Sequence, residues 1–213
     1  DRILDLYERD VRMGAFNGSK NMFFLLHSKY NTRVLNIVKR CFEMEDKRLV
    51  EFAGTTLCEF YILHKEFSDV FLELKELSEE QIKAILQMAV LYLEKEEYRE
   101  EAKSIILNCK NSSCDLEFPL SRIFYDNLVE ADRDIEFLTE IMSGRVNRRL
   151  VFSFVHFLED NAYSNKEYAD VIIALCENVL CLDAEEIKNN WGLDDDLSKL
   201  IISLYDECAD GKS

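Results

Sequence analysis

One Pro and six Gly in 213 residues leave this chain almost nothing with which to interrupt a helix. Proline removes a backbone donor and clashes with the preceding turn, and glycine loses the most backbone entropy on ordering, so both gather where helices stop. With Leu, Glu, Lys and Ile abundant, their scarcity points to an all-α chain of helices and short turns. Hydrophobic residues make up 48% of it, including 14 Phe and 9 Tyr, enough to fill a sizeable interior.

Start and stop signals divide the chain into roughly eleven helices. The first runs over residues 3–13 and a short one follows over 21–29. Asn31 or Thr32 caps a third, with Val34, Ile37, Val38 and Cys41 on its apolar stripe. Asp46 caps residues 47–64, and 67–77 completes this part. Ser78-Glu79-Glu80-Gln81 has the form of a capping box opening a helix through 93, partnered by 98–109. Pro119 suits the first turn of a helix ending near 130. Residues 120–130 and 134–143 read as a close pair, closed by Gly144 in a left-handed cap. The most hydrophobic pair, 147–161 and 166–182, comes next, followed by 185–191 and 197–208.

Short sequential connections make neighbouring helices antiparallel, as in bundles and helical-repeat solenoids. An internal echo favours the solenoid. Asp46-Lys47-Arg48-Leu49-Val50, with Ala53, Gly54 and Leu57, recurs 101 residues later as Asn147-Arg148-Arg149-Leu150-Val151, with Phe154, Val155 and Leu158. Repeated helix pairs of ~40 residues mark the HEAT and armadillo type. The expected architecture is a single helical-repeat domain over 1–213, a HEAT/armadillo-like stack of antiparallel helix pairs, with a compact multi-helix bundle as the alternative. The chain opens on Asp1 rather than Met, with helical periodicity from Ile3 onward, so it is expected to be a piece of a larger protein.

A net charge of −16 argues against nucleic-acid binding and against anionic membranes, both of which demand a basic face. It suits a solvated acidic surface or a basic protein partner. Seven scattered Cys, with no secretory leader, fit a reducing cytoplasm, and most sit in apolar helical stretches as small hydrophobes. Cys109 and Cys114 have no second pair with which to build a zinc site, and Cys176 and Cys181 read as parts of one apolar helix. His27, His64 and His156 are far apart in the chain, and His156, between Val155 and Phe157, reads as packed. Asp194-Asp195-Asp196 fits the positive end of the last helix better than a calcium loop. No phosphate loop, nucleophile elbow or dinucleotide fingerprint is present. No catalytic activity, metal or cofactor is therefore expected.

The candidate protein-binding residues are Arg145, Arg148, Arg149 and Trp191. Positive charge opposes the dipole at a helix start, so the arginines either pair with acidic neighbours or form a docking patch for an acidic partner or another part of the parent protein. Trp191, before Gly192, is either a core plug or an exposed anchor.

The stretch Leu116-Glu117-Phe118-Pro119-Leu120-Ser121-Arg122-Ile123-Phe124-Tyr125-Asp126, with residues 148–180, resembles the C-terminal helical region of large bacterial STAND-type NTPases found among antiphage defence genes. Residues 46–57 are similar to the second helix of a HEAT repeat. In that family an ATP-binding motor lies N-terminal and the C-terminal repeats engage a target protein. The resemblance implies a non-catalytic sensor, its partner a viral protein, and predicts an exposed cluster of aromatic and basic residues. The alternative is a structural scaffold or autoinhibitory segment packed on the rest of the parent polypeptide, which predicts an exposed apolar patch.

Overall fold

The computed structural model describes residues 2–13, 20–72, 74–110, 116–144, 146, 148–164, 169–182 and 192–210. Among these the protein is all-helical, with eleven α-helices, two short 3-10 turns and no strand. It divides into two compact units, Asp1–Asp115 and Leu116–Ser213. No helix of the described residues is long and apolar enough to cross a membrane.

The first unit contains α1 (Arg2–Arg12), α2 (Lys20–Phe42), α3 (Lys47–His64), α4 (Ser68–Leu72), α5 (Glu79–Tyr92) and α6 (Arg99–Lys110), and its packing follows chain order, with α3 lodged between α2 and α5. The Asp46 cap and the Ser78–Gln81 box are both present. Asp46 accepts from the Arg48 N–H at 2.9 Å. In the box, Gln81 N–H donates to Ser78 Oγ at 3.3 Å and Ser78 N–H donates to Gln81 Oε1 at 2.9 Å. Gln81 also donates through Nε2 to the Phe42 carbonyl at 2.7 Å, tying the start of α5 to the end of α2. The expected break near Asn31 does not occur, and α2 is continuous over 23 residues. Asn31 does not cap; its amide is used laterally, donating to Glu66 at 2.9 Å.

Three register points show that α3 and α5 run in the same direction. Lys47 pairs with Glu80 at 3.0 Å, Gly54 faces Ala84, and Tyr92 donates to Glu59 at 2.8 Å. Parallel neighbours require the chain to come back between them, which α4 and the 3-10 turn Leu74–Glu76 accomplish. The reversal begins at Lys65 (φ 58°) and Phe67 (φ 62°), left-handed residues each costing roughly 1–2 kcal/mol. Burial of the Phe67 ring, only 6% exposed and 6.4 Å from Phe60, offsets this by about 1.5–3 kcal/mol.

The second unit holds α7 (Glu117–Tyr125), α8 (Ile135–Met142), α9 (Arg148–Ser164), α10 (Ala169–Leu180) and α11 (Leu193–Asp210). Here the expectation of paired sequential helices needs correction: α7 packs chiefly on α9, and α8 on α10. Arg149 meets Phe118 near the starts of α7 and α9, and Phe124 meets Phe154 and Phe157 farther along, so these helices also run the same way. α9 is the hub, touching α7, α10 and α11. Gly144 (φ 67°) occupies the left-handed position after α8, as its sequence context requires. Pro119 lies in the first turn of α7, where its missing N–H has no helical partner to lose.

The echo of α3 in α9 extends to burial. Leu49, Val50, Ala53 and Leu57 are buried, as are their counterparts Leu150, Val151, Phe154 and Leu158, while the basic pairs Lys47-Arg48 and Arg148-Arg149 are exposed. Both helices therefore sit centrally in their units with the same stripe inward. Each also carries a buried hydroxyl, satisfied by the carbonyl four residues back: Thr56 on Phe52 at 2.6 Å and Ser153 on Arg149 at 2.8 Å.

Two expectations follow for the first unit. A Cβ added at Gly54 would lie 2.5 Å from the Cβ of Ala84, which is fixed to the α5 backbone. Gly54→Ala gains up to about 1 kcal/mol of helix propensity, but overpacking costs about 1–3 kcal/mol. Net destabilisation is expected, read as a lower denaturation midpoint in urea. The second concerns α1. Arg33 of α2 donates to Glu8 at 3.0 Å and to Asp5 at 2.7 Å, and the Arg33 hydrogen bond holds the Glu8 carboxyl below its usual range. Lys39 does the same for Asp69 at 2.6 Å. Carboxyls lowered on folding add stability above their unfolded pKa, roughly 4. That contribution disappears as pH falls through the folded value. Thermal unfolding should thus be insensitive to these groups from pH 6 to 8 and weaken below about pH 4, and Glu8→Gln should flatten the acid limb.

Candidate functional site

Three of the four exposed large aromatic side chains among the described residues of the second unit lie on one side of it, and the fourth, Tyr205, lies on the far side of α11. Phe118 and Tyr125 of α7 are 56% and 47% exposed, and Phe152 of α9 is 65% exposed. Helical spacing explains the alignment. On α9 the core stripe Leu150, Val151, Phe154, Phe157, Leu158 occupies one side, leaving Arg149, Phe152, His156 and Asp160 in an outward stripe at three- and four-residue steps. The Arg149 guanidinium lies over the Phe118 ring, 5.1 Å from its centroid, and joins the stripe of α9 to α7. Such a contact contributes about 0.5–1 kcal/mol at an exposed site. Arg122, one turn along α7, is held by Asp126 at 2.7 Å.

This stripe opens into a groove of about 680 Å³ between α7, α9 and α11. Its aromatic wall is Tyr125, Phe152 and His156, with the Phe152 and His156 rings 6.4 Å apart. Val155 and Leu200 supply aliphatic surface, and Glu159, Asp196 and Lys199 supply charge. Lys199 stands 3.8 Å from Asp196, and His156 Nδ1 stands 3.7 Å from Asp160. Asp194, Asp195 and Asp196 occupy the first turn of α11, where the helix dipole favours negative charge.

Arg148 and Arg149 are both exposed at the start of α9, and among the described residues no ion pair engages either. Arg149 thus belongs to the aromatic stripe, at its opposite end from the groove. Arg145 and Trp191 lie outside the described residues. His156, expected to be packed, is exposed because residue 156 falls on the outward side of α9. Phe152, Phe118 and Tyr125 carry no distinguishing sequence signal, since an exposed Phe looks like a core Phe until its helix has found its neighbours.

In the first unit the fold brings together His27 and His64, distant in sequence, with rings stacked 5.0 Å apart. Glu66 approaches His27 at 3.4 Å and Asn31 at 2.9 Å. Among the described residues no three His, Cys, Asp or Glu side chains come together as a metal-holding set.

Cys41, Cys58, Cys109 and Cys176 are buried, and Cys114 lies outside the described residues. Burial pushes the Cys41 and Cys176 thiols up to about 12, which suppresses the nucleophilic thiolate. Cys181, expected within the apolar helix, instead falls just past the end of α10 and is exposed. Iodoacetamide labelling of the native protein, resolved by peptide mass spectrometry, should modify Cys181 at least about 100-fold faster than Cys41 or Cys176. Denaturant should erase the difference.

Comparison with known protein families, with curated proteins and with solved structures finds no match for this chain.

Proposed function

We propose that this chain is a non-catalytic protein-interaction module whose second unit engages a partner protein along α7, α9 and α11. On the resemblance stated above, it is the HEAT-like sensor region of a larger cytoplasmic STAND-type NTPase in antiphage defence, and the partner is a viral protein. The observation that carries the docking reading is the row Phe118, Arg149, Phe152, Tyr125, with its three aromatics 47–65% exposed. Leaving a large aromatic in water forgoes about 1.5–3 kcal/mol of burial. Aromatic and arginine side chains also dominate the energetic centres of protein interfaces.

A scaffold role is favoured by a different observation. Ile202 and Tyr205, on the side of α11 away from its buried residues, are 60% and 56% exposed, and Ile3, Leu6 and Met13 near α1 are also exposed. Such side chains suit contact with the rest of a parent polypeptide.

Retention of proteins from phage-infected and uninfected lysates on the immobilised chain separates the two readings. A phage protein is expected on the wild-type chain from infected lysate. Its retention should fall at least about tenfold with Arg149→Ala/Phe152→Ala, since hot-spot truncations cost about 2 kcal/mol or more. Circular dichroism should be unchanged, because both side chains are exposed. Retention of the parent polypeptide alone, abolished by Ile202→Ser/Tyr205→Ser, would put the scaffold ahead.

A further inference from the structure

We propose that the groove between α7, α9 and α11 receives a cationic amphipathic helix of the partner, with lysine or arginine side chains against Tyr125, Phe152 and Glu159. This rests on the docking reading above and names the chemistry of its occupant.

Charge decides the class of partner. Residues 116–213 contain 21 Asp and Glu against nine Lys and Arg, a net of −12 and so three-quarters of the chain's −16. A second copy would bring the same negative charge to the interface, and a nucleic acid or an anionic bilayer would be repelled. A basic protein segment is attracted, both in its approach and in its bound register.

The groove supplies complementary surfaces at shorter range. The π faces of Tyr125 and Phe152 attract an ammonium or guanidinium group, while Val155 and Leu200 suit aliphatic side chains. Asp196 has Lys199 at 3.8 Å and Asp160 has His156 at 3.7 Å. Glu159 is half-buried in the lining, and among the described residues it forms no ion pair, so its charge remains to be met by an incoming cation. A volume of about 680 Å³ accommodates several side chains. α9 and α11 pack on each other, and side chains of both line the groove with Tyr125 of α7, a setting that suits a helix laying one apolar stripe into it.

The test is fluorescence anisotropy of the 213-residue chain with a labelled Leu/Lys peptide whose leucines follow i, i+3, i+4, i+7 spacing, beside the same peptide with Glu for Lys. The Lys peptide should bind, the Glu peptide at least about tenfold more weakly. Glu159→Lys and Phe152→Ala should each weaken the Lys peptide at least about tenfold, whereas Tyr205→Ala, on the far side of α11, should leave it unchanged. No binding of the Lys peptide overturns the proposal. So does binding that ignores both groove variants, which would mark diffuse attraction to an acidic protein. Preference for the Glu peptide, lost in Arg148→Ala/Arg149→Ala, overturns the cationic occupant while leaving the docking face intact. If the lysate partner also ignores Phe152→Ala, the docking face itself falls.

Discussion

With no Cβ at Gly54, α3 can lie against Ala84 of α5 closely enough for the two helices to share one core along their length. The two helices run parallel, as the pairs Lys47–Glu80 and Glu59–Tyr92 at successive levels show, and parallel neighbours oblige the chain to return between them. The return is made by a short helix and a 3-10 turn, entered through two left-handed residues that no local preference would select. The gain that sustains this arrangement is apolar: Leu49, Val50, Ala53, Leu57 and Cys58 of α3, and Ile82, Ile85, Leu86 and Ala89 of α5, are all buried. A helix buried on two sides must carry apolar residues on more than one stripe, and α3 does.

The same demand falls on α9, which is packed on by α7, α10 and α11. Its inner side meets it with Leu150, Phe154, Phe157 and Leu158, while Phe152, on the outward side, is 65% exposed. A chain with abundant aromatics and few glycines does not need Phe152 for its core, so its exposure asks for another explanation. Continuity with Phe118 through Arg149, and with Tyr125 across the groove, supplies a surface of several side chains from two helices, α7 and α9. Interfaces built this way bind through a few aromatic anchors surrounded by polar groups that exclude water, and the carboxylates around this groove fit that anatomy.

Much of the local structure was legible in the residues. The Asp46 cap, the Ser78–Gln81 box, Pro119 in a first turn and Gly144 after α8 all depend on side chains within four positions of the backbone they serve. The echo between α3 and α9 was legible for the same reason, since a cap followed by an apolar stripe is a one-dimensional pattern. Asn31 misled because Asn is equally suited to capping and to lateral hydrogen bonds, and only the presence of Glu66, 35 residues on, decides between them. Cys181 misled because apolar neighbours in sequence do not guarantee burial in space.

The residues alone thus determined that this protein is helical, where most of its helices begin, and which stripe of each is apolar, because propensity, capping and periodicity are properties of short stretches. Which stripes meet was decided only by tertiary structure. The parallel pairing of α3 with α5 and of α7 with α9, the meeting of His27 with His64, and the exposure of Phe152 and His156 all follow from distant segments competing for the same apolar surface. A periodic pattern states that a helix has a face to bury; it carries no label for the partner, and so none for the side chains that packing leaves outside.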